Sequence, residues 1–225
     1  NSYDSADGQL ARMTKQFSAL GRVLDGFAGN LWFASIYVGI CLRLYPEWGG
    51  WIWVLACVTG YFHSKQAEMA DYYRNVHLLF LKGKSGSELD NSAELTAKFK
   101  ELTWSKNFGA KIVLFFYRNY TTDQENRSPR LQVLFRLLRE RFGDVAPESF
   151  RNDFREKSLP LMKYTNILSF NTRSIALFVS ILLGWPWLYF VFELTVLNIL
   201  LVYMVTRHEK ISKGFVLDIK SGKYN

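Results

Sequence analysis

Three carboxylates stand close to the start of the chain, at Asp4, Asp7 and Asp25, among Gly8, Arg12 and Gly21. On a helix, residues three or four apart share a face, so Asp4 and Asp7 can point at one object. Gly8 follows directly and removes a side chain where something bulky approaches the backbone. Arg12 continues that face four residues on, and Gly21 and Asp25 repeat the four-residue spacing on the next helix. Clustered carboxylates repel one another unless a cation binds among them. The economical partner is a hard divalent ion, Mg²⁺ or Mn²⁺, held by oxygen ligands and able to bridge the phosphates of a substrate. Helix capping and solvation would explain any one of these Asp residues. They do not explain the whole set, because a cap needs no Gly-Ala-Arg pattern at fixed offsets.

Written as spacing, the segment is D-x2-D-G-x2-A-R-x8-G-x3-D. It resembles the signature of the CDP-alcohol phosphotransferase (CDP-alcohol phosphatidyltransferase) family, D-x2-D-G-x2-A-R-x8-G-x3-D-x3-D. Asp4, Asp7, Gly8, Ala11, Arg12, Gly21 and Asp25 agree position by position. The resemblance implies transfer of a phospho-alcohol group, in the lipid case phosphatidyl, from a CDP-alcohol such as CDP-diacylglycerol to an acceptor hydroxyl, with release of CMP. It assigns Asp4, Asp7 and Asp25 to Mg²⁺ or Mn²⁺, and Gly8, Ala11, Arg12 and Gly21 to the nucleotide and its phosphates. It also implies a membrane enzyme facing the cytoplasm, as in a bacterial inner membrane, and a homodimer. In the family the first Asp pair ends the second membrane helix, so the chain is expected to lack the first helix and most of the second. The last position departs: Gly29 stands where the family has the Asp taken to act as base, and Asn30 follows. Asn30 is one residue out of register and reaches the site only through a local bulge. The alternative is therefore a catalytically silent homologue that binds CDP-alcohol or acts as a membrane partner.

Composition agrees with a membrane setting. Hydrophobic residues make up 49% of the 225 and aromatics 16%, in very apolar runs that alternate with charged ones. A net charge of +8 calls for an anionic partner. No base-reading motif occurs, so lipid and phosphorylated substrates are expected and nucleic acid is not. Cys41 and Cys57 lie in apolar stretches and read as buried free thiols.

The expected architecture is all-α, a polytopic membrane helix bundle with a helical cytoplasmic insertion. Residues 1–82 form membrane helices carrying the motif, 83–160 the insertion, and 161–225 a membrane hairpin with a basic tail. The first full helix spans about Ser18 to Leu44 and includes the apolar run Leu31 to Leu42. A second starts near Trp51 and runs on past Phe62 to about Phe80. The turn at Tyr45-Pro-Glu-Trp-Gly-Gly50 is rich in breakers. Leu161 to Trp185 is expected to cross the bilayer, and Trp187 to Val205 is the clearest span. The short turns near 46–50 and 184–186 hold no Lys or Arg, whereas the long segment after Phe62 and the tail are rich in both. By the positive-inside rule the latter are cytoplasmic, which places Asp4, Asp7 and Asp25 on that side too.

A second polar set, Asn166, Ser169 and Arg173, shares one face of the expected penultimate span. It suggests either an acceptor pocket or inter-helix hydrogen bonding. A charge inside a span is costly, so Arg173 needs a partner or a cavity. Glu193 and Asn198 read as packing or dimer contacts, His77 and His208 as surface residues, and His63 has no assigned role.

Overall fold

The computed structural model describes residues 19–225 except 84–86, 88, 106, 144 and 225, and gives the backbone alone for 19–28 and 30. The described residues form helices and no strands: α1 (Ala19–Trp48), α2 (Trp51–Lys82), α3 (Ser92–Glu101), α4 (Phe108–Asn126), α5 (Pro129–Phe142) and α6 (Glu148–Ser158). A 3₁₀ turn, Leu159–Leu161, leads into α7 (Met162–Ile167), followed by α8 (Phe170–Leu182) and α9 (Trp187–Phe192). A π segment, Glu193–Leu197, joins α9 to α10 (Asn198–Lys220) without ending the helix. The all-helical expectation holds.

The breaks fall where local chemistry puts them. Pro46 lies in the last turn of α1, where it removes one helical N–H donor and helps end the helix, and Gly49 closes it with φ +58 while its N–H donates to the Tyr45 carbonyl at 2.9 Å. Gly184 closes α8 in the same way at φ +76. Pro129 and Pro147 open α5 and α6, as a residue without an N–H can at a helix start.

Two hydrophobic cores lie along α2. Ile52 and Ala56, near its start, pack with Phe33, Tyr37 and Cys41 of α1 and Tyr189 and Phe190 of α9. Met69, Tyr73, Val76 and Phe80, further on, pack with Leu134 of α5, Phe150 and Phe154 of α6, and Met204 and Phe215 of α10. Helices α5 and α6 thus share a core with the C-terminal helix, and each fully buried Phe contributes about 1.5–3 kcal/mol. Glu209 of α10 accepts from the backbone N–H groups of Arg130 and Leu131 at 2.8 and 3.2 Å, capping α5 from outside.

Four expectations are corrected. The stretch from Leu161 to Trp185 is not one helix: Ser169 is extended (φ −92, ψ −176), and the chain turns between α7 and α8. Hydrogen bonds from the Ser169 N–H and hydroxyl to the Asn166 carbonyl compete with helix continuation there. The resulting α8 has 13 residues, about 20 Å of rise. His77 and His208 are buried, not superficial: His77 meets the Ser158 hydroxyl at 2.7 Å, and His208 stacks on Tyr73 at 4.0 Å. Cys57 is exposed, whereas Cys41 is buried, and both are free. Among the described residues, the helix from Trp187 to Lys220 is the one long and apolar enough to cross a membrane by length and composition.

Candidate functional site

Helix α1 carries the second half of the motif. Its backbone is α-helical through Gly21, Asp25, Gly29 and Asn30. Gly21 and Asp25 therefore share a face, and position 29 lies about 40° round the axis from position 25. Position 30 lies about 140° round, and no bulge intervenes to bring it back. Gly29 is exposed, and a Cβ built on it meets nothing within 4 Å. Asp4, Asp7, Gly8, Ala11 and Arg12 lie outside the described residues. Among the described residues no group of three or more His, Cys, Asp or Glu could hold a metal ion.

Helix α2 runs antiparallel against α1, with Gly60 beside the Tyr37 ring. A Cβ on Gly60 would lie 3.6 Å from the Tyr37 ring, and the Phe33 and His63 rings are 4.5 Å apart.

Between the two cores lies a buried polar cluster. Arg173, 1% exposed, donates to Glu193 Oε1 at 2.7 Å, and Glu193 is wholly buried. The hydroxyls of Tyr189 and Tyr37 donate to Glu193 Oε1 and Oε2, each at 2.5 Å. A second Arg173 nitrogen donates to Gln66 Oε1 at 2.8 Å, and the Gln66 amide donates to Asn198 Oδ1 at 2.8 Å. The same amide reaches the Glu193 carbonyl at 3.0 Å, at the first residue of the π segment. The guanidinium also lies 2.7 Å from His63 Nδ1. A guanidinium can only donate, so this Nδ1 accepts and His63 is neutral. Its 3.2 Å approach to Glu193 Oε1 is then no ion pair.

This geometry separates the residues grouped as an acceptor pocket. Arg173 points into the bundle, neutralised by Glu193, whereas Asn166 and Ser169 are exposed at the break between α7 and α8. They do not share one helical face. Arg173 has the partner its position demanded, and Glu193 and Asn198 make packing contacts. The sequence offered a signal for the pair: opposite charges in two apolar stretches that fold onto one another. Nothing in the spacing pointed to His63 or Gln66.

A second polar arrangement lies where α2 meets α4. Ser64 and Glu68 on α2 face Asn119, Thr122 and Asp123 on α4 across a cleft of about 460 Å³. The Lys65 ammonium donates to Glu68 Oε2 at 2.9 Å and to Asp123 Oδ2. Burial pushes the Glu68 carboxyl above its ordinary range. Burial acts on Asp123 in the same sense, but hydrogen bonds and charge from Lys65 and Arg127 outweigh it and hold that carboxyl low.

Among the described residues, fold and site together give helices around a buried Arg173–Glu193 pair, with Gly21 and Asp25 near the start of α1. The family described as CDP-alcohol phosphatidyltransferase matches residues 2–67, so the resemblance read from the motif spacing holds. That family makes a transferase acting on CDP-alcohols the class to which this segment points. No curated protein and no solved structure matches the chain.

Proposed function

We propose that the protein transfers a phospho-alcohol group, phosphatidyl in the lipid case, from a CDP-alcohol to an acceptor hydroxyl and releases CMP. The observation that carries this is the family match over residues 2–67, which contains every motif position from Asp4 to Asp25. Asp4, Asp7 and Asp25 are the residues that would hold Mg²⁺ or Mn²⁺, and the ion would neutralise the diphosphate. Arg12 presents a planar donor fork suited to phosphate. Gly8 and Gly21 allow close approach of the nucleotide, and Ala11 keeps that face small. Asp25 is the last acidic motif position present, and the helical path carries Asn30 away from it.

The outer surface supports a bilayer around the helices. Leu31, Val38 and Leu42 of α1, Val54 and Val58 of α2, Ile175 and Phe178 of α8, and Ile199 and Val202 of α10 are all exposed. Trp48 and Trp187 lie 6.0 Å apart, so the two short turns meet at one end, where Trp51 and Trp185 are also exposed. Trp side chains favour the membrane interface, and the charged segments follow the opposite ends of α2 and α10. This supports a polytopic bundle with the motif on the cytoplasmic side.

The decisive measurement is CMP release from radiolabelled CDP-diacylglycerol by the full-length protein with Mg²⁺ or Mn²⁺. Turnover, abolished by Asp25→Asn, is the expected result; intact CDP-diacylglycerol under every acceptor overturns the enzymatic reading. Gly29 favours a second reading, a silent homologue that binds CDP-alcohol without turning it over. That reading predicts metal-dependent CMP binding with no release.

A further inference from the structure

Helix α4 is inside out over its first half. Its buried residues are Lys111, Tyr117, Thr121 and Gln124, whereas Phe108, Ile112, Val113, Leu114, Phe115 and Phe116 are all partly or largely exposed. Phe108 and Phe116 are each 63% exposed, and Trp104, in the loop after α3, is 51% exposed. The neighbouring helices do not share this pattern: α5 buries Leu131, Leu134 and Leu138, and α6 buries Phe150 and Phe154. A contiguous exposed apolar patch of this kind marks a contact surface. Its shape is held by cations lodged among the aromatic rings. Lys111 donates to the Leu102 carbonyl at 2.6 Å, and its ammonium lies 4.7 Å from the Phe99 ring and 5.1 Å from Trp104. The Arg118 guanidinium lies 4.7 Å from the same Phe99 ring. The segment around the patch is basic: residues 92–118 carry Lys98, Lys100, Lys106, Lys111 and Arg118 against Glu94 and Glu101. Lys98 and Lys100 are exposed. Water satisfies the cations but not the apolar face. A bilayer surface with anionic headgroups satisfies both, since apolar side chains enter the acyl boundary while Lys and Arg meet phosphates. A second copy packed face to face would instead set the same cations against one another. The other end of α4 is tied to α2 within two turns of Phe62, where the apolar stretch of α2 ends. There Lys65 donates to Asp123, and Gln124 donates to the Glu68 carbonyl at 3.1 Å.

We infer that the α3–α4 hairpin docks on the anionic surface of the bilayer, with Trp104, Phe108 and Phe116 in the acyl boundary and the lysines at the headgroups. The inference rests on the bilayer arrangement proposed above, and its test keeps the two apart. The full chain, carrying Cys41→Ala and Cys57→Ser, is placed in nanodiscs of phosphatidylcholine alone or of phosphatidylcholine with phosphatidylglycerol. A fluorophore is attached through Phe116→Cys, through Ile199→Cys on α10 as the lipid control, or through Glu140→Cys on α5 as the water control. All three positions are exposed, so none of these changes opens the core. Quenching by nitroxide-bearing lipids is the readout. With phosphatidylglycerol present, the label at 116 should be quenched like the one at 199 and unlike the one at 140. Lys98→Glu with Lys100→Glu should lower the docked-to-undocked ratio about tenfold or more, leaving the label at 199 unchanged. The inference is overturned if the label at 116 stays unquenched while the one at 199 is quenched. It is equally overturned if quenching at 116 ignores both phosphatidylglycerol and the charge reversal. Shielding of the label at 116 in detergent that grows with protein concentration would make a second copy the occupant, and so overturn it too. Quenching at neither 116 nor 199 would sink both this inference and the bilayer arrangement. Quenching at 116 alone would sink the arrangement and leave the docking.

Discussion

Arg173 and Glu193 face each other inside the protein with 1% and no side-chain exposure. Such a pair gives little over an apolar replacement, but breaking it strands a charge. Arg173→Met should therefore cost about 3–5 kcal/mol of stability, read as a lowered midpoint of denaturation in detergent. The double variant Arg173→Met, Glu193→Leu should recover most of that loss, because neither charge is left alone. Gly29 makes the opposite kind of prediction. A side chain there meets no obstacle within 4 Å, so Gly29→Asp restores the family's last acid without a packing penalty. If a base is what the chain lacks, CMP release should rise by about 10²-fold or more. An unchanged rate in an active protein would show that another group takes the proton.

At the scale of the elements, α2 is the axis: it lines both cores, the buried charge cluster and the α4 cleft. Its far end is tied to α6 by His77, whose Nδ1 is 2.7 Å from the Ser158 hydroxyl. Burial, and then the nearby Arg155, depress the His77 pKa below its ordinary value. The unfolded chain therefore binds a proton that the folded chain refuses. Stability from this contact is present above about pH 6.5 and declines as pH falls through and below that value. His77→Gln should flatten that part of the stability-against-pH curve. Helix α5 depends on α10 in a similar way, since Glu209 satisfies two of its free N–H groups. Glu209→Ala should cost about 1–2 kcal/mol, with the loss felt first in amide exchange of α5.

For the whole molecule, the exposed apolar residues of α1, α2, α8 and α10 set the expectation. A protein whose helices are wetted by lipid should remain in the membrane pellet after alkaline carbonate washing; release into the supernatant would count against the bilayer arrangement. Chelation should abolish CMP release, and Mg²⁺ or Mn²⁺ should restore it, if the motif carboxylates hold a metal. The helical insertion is joined to the rest through a common core, Phe150 and Phe154 against Phe215 and Leu134 near Met204. Deleting 83–160 should therefore unfold α10 as well, and not leave an intact membrane unit.

Helix identity, most helix ends and the family resemblance were legible in the sequence, because they are set by local features: apolar runs, Gly and Pro as breakers, and acids at fixed spacing. Arg173 and Glu193 could be recognised as needing partners, since a charge in an apolar stretch is conspicuous by itself. Tertiary structure decided the rest. It broke the Leu161–Trp185 stretch at Ser169, where side-chain and backbone bonds to the Asn166 carbonyl outcompete a run that composition alone reads as continuous. It buried His77 and His208, which look superficial beside charged neighbours. It brought Gln66, Asn198, Arg173 and Glu193 together across as many as 132 residues. Hydrogen bonds of that kind depend on where folded helices cross, and spacing along a chain records nothing of a crossing.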